Sequence, residues 1–172
     1  MLLVSTCYHA LSNKEFLEPL KSLISANNIA FETKSYKDVI DHEKYDRIII
    51  CGTALRDFDY MKNADNFSWI KNYKGKILGI CSGAQIIASV FGKDLEDCEL
   101  IGKMQVSINK KNKLAEGCFS SYFLVSKKPS LDGELIALDE DGYVFKHKER
   151  EAYGVLFHPE VLNEKIIKDF SA

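Results

Sequence analysis

The apolar positions change their spacing along the chain, and each change marks an element. Met1-Leu2-Leu3-Val4, followed by Ser5-Thr6-Cys7, is a short apolar run that reads as a first core strand. Ser12-Asn13-Lys14-Glu15 has the form of a capping box. Behind it, Phe16, Leu17, Leu20, Leu23 and Ile24 are spaced to line one face of a helix. Phe31 to Tyr36 suggests a second strand. Arg47-Ile48-Ile49-Ile50-Cys51 is a continuous run ending at Gly52, the pattern of a strand buried on both faces of a parallel sheet. A looser segment, Ala54 to Asn66, precedes a short helix near Asn66 to Asn72. Lys76-Ile77-Leu78-Gly79-Ile80-Cys81 is the next buried strand. It runs directly into a helix with Ile86, Ile87, Val90 and Phe91 on its inner side and Gly92 as the C′ residue.

The second half has a different texture. From Glu99 to Lys148 strand-like segments alternate with turn signals. The clearest is Glu134 to Glu140, then Asp141-Gly142, then Tyr143 to Lys148, a hairpin pattern. Ala152 to Phe157 is another buried strand, stopping at His158-Pro159, and Ile166, Ile167 and Phe170 outline a closing helix. No linker, repeat or low-complexity stretch interrupts this order. Residues 1–172 are therefore expected to form one α/β domain: three-layer and flavodoxin-like, with a mostly parallel central sheet, helices on both faces and a small antiparallel β extension in the second half. Sites in such sheets lie beyond the carboxyl ends of the strands. Cys51-Gly52, Cys81-Ser82 and Phe157-His158 all fall there.

Composition narrows the partners. The chain is 46% hydrophobic and 28% charged with a net charge of −2, so there is no basic excess to hold a phosphate backbone, which argues against nucleic acid. Lys110, Lys111 and Lys113 read as a solvated turn between two strands. No apolar run approaches the ~20 residues that cross a bilayer, and the apolar start lacks the basic lead-in of a signal peptide. Five cysteines, widely scattered and without a C-x-x-C pair, argue against a disulfide framework or a zinc site and fit a reducing cytoplasm. No metal or other cofactor is called for.

One cysteine stands apart. Gly79-Ile80-Cys81-Ser82-Gly83 has the glycine spacing of a nucleophile elbow, with Cys in the place of Ser. Such a turn strains the nucleophile's backbone, and small flanking residues let neighbouring chains approach. Glycines at a strand end also serve as packing devices alone, but here the motif joins a buried strand to an amphipathic helix. Cys81 then stands at the positive end of a helix dipole, where negative charge is stabilised, and the Ser82 amide is a candidate oxyanion donor. Cys7, Cys51, Cys98 and Cys118 lack this setting and read as structural.

A nucleophilic sulfur needs an imidazole to take and return a proton. His9, His42 and His147 read as surface or loop residues. His158 closes an apolar strand, and Glu160 lies two positions on, with Pro159 fixing the backbone between them. From there its carboxylate can hold the ring in one tautomer from the side away from the thiol. The plain alternative is a strand-to-turn junction with an exposed histidine.

Gly79-Ile80-Cys81-Ser82-Gly83-Ala84-Gln85 resembles the G-I-C-x-G-x-Q nucleophile motif of class I (triad-type) glutamine amidotransferases, and Tyr153-Gly154-Val155-Leu156-Phe157-His158-Pro159-Glu160 resembles their Y-G-V-Q-F-H-P-E segment. The layout is similar to that of stand-alone amidotransferase subunits, such as that of archaeal GMP synthetase. The resemblance implies Cys81 as nucleophile, His158 as base and then acid, Glu160 as orienter, and Gln85 as a residue that helps hold the substrate. It implies hydrolysis of glutamine through a γ-glutamyl thioester, with ammonia passed to a synthetase partner. The family's second oxyanion donor comes from a G-G-P loop. Here that stretch is Cys51-Gly52-Thr53-Ala54, leaving the N–H of Gly52 or Thr53 for the role. A His-containing segment that grips the α-amino and carboxylate groups of glutamine is replaced by Phe119-Ser120-Ser121-Tyr122, which leaves Ser120, Ser121 and Tyr122 as the candidate substrate-binding residues there, and Leu156 stands where the family has Gln. These departures keep two other readings open: a self-contained hydrolase of another γ-glutamyl amide, and a non-catalytic module with a redox-sensitive Cys81.

Overall fold

A computed structural model describes all residues, 1–172. Nine strands form: β1 (Leu2–Ser5), β2 (Glu32–Ser35), β3 (Arg47–Ile50), β4 (Lys76–Ile80), β5 (Leu95–Ile108), β6 (Gly117–Pro129), β7 (Leu135–Ala137), β8 (Val144–His147) and β9 (Ala152–Val155). Seven make the central sheet in the order β2-β1-β3-β4-β9-β8-β7. The first five of that order are parallel, and β8 and β7 extend the sheet antiparallel. β1, β3, β4 and β9 are the near-continuous apolar runs of the sequence, and after Arg47 and Lys76 every residue of β3 and β4 is buried. Because the order reverses at β1, the carboxyl ends of β1, β3 and β4 border the crevice where a doubly wound sheet places its site.

The helices cover this sheet. The first runs as α1 (Ala10–Ser12), a π-helical stretch (Asn13–Leu17) and α2 (Glu18–Ala26). The expected capping box is not formed: Ser12 already has helical angles and makes no capping bond, because the helix begins at Ala10. The side chain of Asn13 instead meets the Ser5 hydroxyl at 2.6 Å. The looser segment before Asn66 contains a helical turn, α3 (Asp59–Lys62), and the helix expected near Asn66 to Asn72 is a 3₁₀ stretch over Ala64–Lys71. α4 (Ser82–Val90) follows β4, and Gly92 has φ +73°, as a C′ residue requires. α5 (Pro159–Leu162) and α6 (Glu164–Ser171) close the chain.

The strand-like segments of the second half resolve into two features. β5 and β6 form a long two-stranded ribbon apart from the central sheet. The expected hairpin is β7–β8, and it joins the central sheet through β9. His147, expected at the surface, is 2% exposed: at the end of β8 its ring lies 4.6 Å from that of Phe91. β8 is covered on both faces, with the consecutive Val144 and Phe145 buried as well, and this decides its place more than the charged neighbours do. One cluster of 40 buried residues joins the inner strands of the sheet, the ribbon and helices α2, α3, α4 and α6. No helix is long and apolar enough to cross a membrane.

Candidate active site

Cys81 links β4 to α4 with φ +50° and ψ −106°, a conformation that costs a non-glycine residue energy and persists only where its surroundings hold it. Those surroundings are visible. Its N–H donates to Val155 O at 2.8 Å, and its carbonyl accepts from Gln85 N–H at 3.1 Å. A Cβ on Gly83 would strike the carbonyl of Ile50, and one on Gly79 would strike Gly83 itself. The glycine spacing is thus a steric requirement of the turn.

Around this elbow the ends of three strands are tied together. The Thr6 hydroxyl, just past β1, donates to Cys51 O at 3.0 Å and lies 2.8 Å from the Ser82 hydroxyl, which also reaches Cys51 O at 3.2 Å. The Ser82 side chain is therefore a strut, while its N–H, at the first position of α4, has no intrahelical acceptor. The N–H groups of Gly52 and Thr53 make no hydrogen bond within the chain. Donors of this kind at the rim of a nucleophile are what a developing oxyanion requires.

His158 is 2% exposed, and its Nδ1 lies 2.8 Å from Oε1 of Glu160. The two residues straddle Pro159 at the start of α5. The backbone N–H of His158 is anchored on Tyr122 O at 2.8 Å, and Phe16, from the π-helical stretch, packs on the ring at 5.4 Å. A Cβ placed on Gly52 would stand 2.9 Å from His158 Cε1 and 3.4 Å from Cys81 Cβ, so imidazole and nucleophile meet over this one glycine. Burial alone would lower the His158 pKa, but the adjacent Cys81 and Glu160 groups outweigh it and push it up to about 10.

The thiol is not yet paired with that ring. His158 Nε2 is buried without a hydrogen-bond partner, and Cys81 Sγ donates to Leu124 O at 3.5 Å. Rotation of Sγ from Leu124 toward Nε2 gives this buried ring nitrogen the partner it lacks. By contrast, burial pushes the pKa of Cys7 and Cys51 upward, which makes both poor nucleophiles.

The remaining expected residues are distributed unevenly. Thr53 and Gln85 line a cavity beside Cys81, together with Tyr60, Leu124 and Ser126. Gln85 is 3% exposed; its Nε2 donates to Lys127 O at 2.9 Å, and its Oε1 accepts from the Tyr60 hydroxyl. Ser120, Ser121 and Tyr122 do not line this cavity. Ser121 is fully buried against Asn163 at 2.8 Å, Ser120 O accepts from Asn163 at 3.1 Å, and Tyr122 holds His158 through its carbonyl. Leu124 and Ser126, further along β6, are the ribbon residues next to the thiol. Sequence reasoning misses both, along with Tyr60 and Thr6; only Thr6, a polar residue closing an apolar strand, carries a readable signal.

The cavity measures about 10 Å³, room for one water. Ser126 Oγ donates to Leu55 O at 3.4 Å across its mouth. A roomier cavity of about 710 Å³ lies between the loop after β5 and α5–α6, and none of Cys81, His158 and Glu160 lines it. No three His, Cys, Asp or Glu side chains are grouped to hold a metal ion.

The family model described as "Glutamine amidotransferase class-I" matches residues 13–169. One of the subunits of the glutamine-hydrolysing GMP synthase of Methanosphaera stadtmanae is 29% identical over 162 residues, which cover 87% of this chain and 83% of that one. A gamma-glutamyl-CDP-amidate hydrolase from Campylobacter jejuni is 32% identical over 99 residues, 55% of this chain and 49% of that protein. A crystal structure from Thermoplasma acidophilum, provisionally described as the same GMP synthase component, superposes with TM-score 0.81 at 18% identity, covering 99% of this chain and 92% of that one, a likeness of fold.

Proposed function

This chain belongs to the class-I glutamine amidotransferase family, and from that premise we propose that it hydrolyses the side-chain amide of glutamine through Cys81, His158 and Glu160 and passes the ammonia to a synthetase partner. One observation carries the reading: a strained cysteine at the head of α4 and a buried, carboxylate-held imidazole meet over Gly52.

The chemistry runs in two halves. His158 Nε2 takes the Cys81 proton, and the sulfur attacks the amide carbon. With its pKa raised to about 10, the ring holds that proton at neutral pH. The tetrahedral oxyanion rests on the N–H of Ser82 and on that of Gly52 or Thr53. His158 then protonates the leaving nitrogen, ammonia departs, and a γ-glutamyl thioester remains on Cys81. Water, deprotonated by His158, attacks the thioester carbon; the sulfur leaves and glutamate is released. Glu160 keeps Nδ1 protonated throughout, so Nε2 is free to shuttle the proton.

The Methanosphaera relative supports a synthetase partner, since its name makes it one subunit of a larger enzyme. The shared core supports reading residues 1–172 as one domain, and five free cysteines support a reducing, cytoplasmic setting. The test is ammonia release from glutamine with and without an ATP-dependent synthetase, in wild type and Cys81→Ala. Turnover that requires Cys81 and rises with the synthetase is expected. A second reading, a self-contained hydrolase of another γ-glutamyl amide, draws on the Campylobacter relative and on Phe119-Ser120-Ser121-Tyr122. If γ-glutamyl amides turn over and glutamine does not, this second reading stands and the first fails.

A further inference from the structure

We propose that Asp57 is a positioning residue for the oxyanion loop, doing with a carboxylate what the family's loop does with proline; this rests on the reading above, in which Gly52 or Thr53 supplies an oxyanion donor. Proline shapes a loop by fixing φ. Residues 51–58 of this chain, Cys51-Gly52-Thr53-Ala54-Leu55-Arg56-Asp57-Phe58, contain none. A loop whose N–H groups must point at a reacting oxygen needs another constraint, because a free one spends conformational entropy at each turnover.

Asp57 supplies it from three directions. Its Oδ2 accepts from the Thr53 hydroxyl and from the Tyr8 N–H, both at 2.8 Å. Its Oδ1 accepts from the Asp59 N–H at 3.3 Å. One carboxylate therefore joins the start of the loop, the segment beyond β1 and the entry to α3. The Asp57 N–H adds a turn to Ala54 O at 2.9 Å. Bonds to an ionised carboxylate are about twice as strong as neutral ones, and Asp57 is half-buried at the edge of the cavity beside Cys81. On the other face of the loop, Gly52 lies against His158 and Cys81, and its carbonyl accepts from Cys7 Sγ at 3.6 Å. The Gly52 and Thr53 N–H groups are left without partners between these anchors.

The experiment uses the full chain in whichever amide-hydrolysis assay of the preceding section turns over. Asp57→Ala is expected to lower kcat roughly 10²-fold, the effect of losing one oxyanion donor, with KM changed less than about threefold. Thr53→Val should reproduce the loss, and the double variant should be no worse than either single one, since both break the same bond. Asp57→Asn, which keeps an acceptor for Thr53, should recover most of the rate. Alkylation of Cys81 by iodoacetamide, a displacement that forms no oxyanion, should proceed at the wild-type rate in all of them. If Asp57→Ala alters kcat less than twofold, or raises KM alone as a ligand of the substrate would, the proposal is overturned. Should Asp57→Ala fail to fold, Thr53→Val decides by the same kcat criterion. Loss of turnover in Cys81→Ala keeps the parent reading intact whichever way Asp57 falls; no turnover by wild type on any γ-glutamyl amide overturns both.

Discussion

The Tyr60 hydroxyl donates to Gln85 Oε1, so this buried side chain is already occupied on its carbonyl side. Its amide nitrogen is likewise committed to Lys127 O at 2.9 Å. Burial raises the Tyr60 pKa, which keeps the hydroxyl a donor at any working pH. Gln85 thus bridges α3 and β6 beside the small cavity at Cys81. If glutamine enters through this cavity, this bridge and the Ser126–Leu55 contact are expected to open.

Tyr60→Phe tests that bridge. Leaving a buried acceptor unpaired is expected to cost about 1–3 kcal/mol of stability, read by denaturant unfolding. The same change weakens the closed form relative to the open one, so KM for glutamine should fall while kcat holds. An unchanged KM alongside the stability loss would show that the bridge is structural and does not gate entry.

The elbow glycines make a sharper steric prediction. Gly83→Ala drives a methyl group into the Ile50 carbonyl, and neither backbone has a flexible end to give way. Overpacking of this kind costs about 1–3 kcal/mol or more. We expect a lowered melting temperature together with loss of Cys81 reactivity, because the strained turn is what aims the sulfur. A variant with wild-type melting and reactivity would refute the steric account.

How much of this is legible in the sequence follows physical lines. β1, β3, β4 and β9 show themselves because burial on both faces leaves an uninterrupted apolar run. Cys81, His158 and Glu160 show themselves because strand ends and local spacing fix their surroundings. Tyr60 and Leu124 do not, because each acts through a partner far away in the chain, Leu124 only through its backbone carbonyl, and Asp57 does not, because its local bonds gain their meaning from the distant Tyr8 N–H. Ser12 misleads for the converse reason: its local pattern is right, but the helix has already begun.

His158 carries a pH signature. Its folded-state pKa, about 10, lies above the ordinary 6.5. The charged ring therefore contributes stability fully below pH 6.5, and that contribution fades as pH rises through about 10. Glu160→Gln removes one of the groups responsible. The stability gap between wild type and Glu160→Gln should be widest near pH 6 and close toward pH 10, as followed by thermal unfolding. A gap that widens with pH would reverse the assignment.

His147 has the opposite sign. Burial lowers its pKa, with Glu134 at 3.9 Å opposing only in part. An unfolded chain then binds a proton that the folded chain refuses, so this contribution is complete above pH 6.5 and is lost as pH falls below it. His147→Phe should flatten the acid limb of the stability curve below pH 6.5, at some fixed cost from the unpaired Glu149 N–H that Nδ1 now accepts at 3.1 Å. An equally steep limb in the variant would place the acid sensitivity elsewhere.

Covalent labelling decides whether Cys81 is a nucleophile or only a sensitive thiol. A diazoketone analogue of glutamine must enter the closed cavity, bind as substrate does and be attacked by the sulfur. Burial pushes up the pKa values of Cys7, Cys51 and Cys98, and exposed Cys118 does not line the cavity beside Cys81. The adduct should therefore be found by peptide mass on Cys81 alone, and excess glutamine should slow its formation. His158→Ala should slow it at least 10²-fold, in line with the loss of a general base. Tyr60→Phe should speed it, because the open form is the one that reacts. Simple oxidation of Cys81 by peroxide with no analogue adduct would be the signature of a redox module, and it would leave the imidazole and its carboxylate without a reaction to serve.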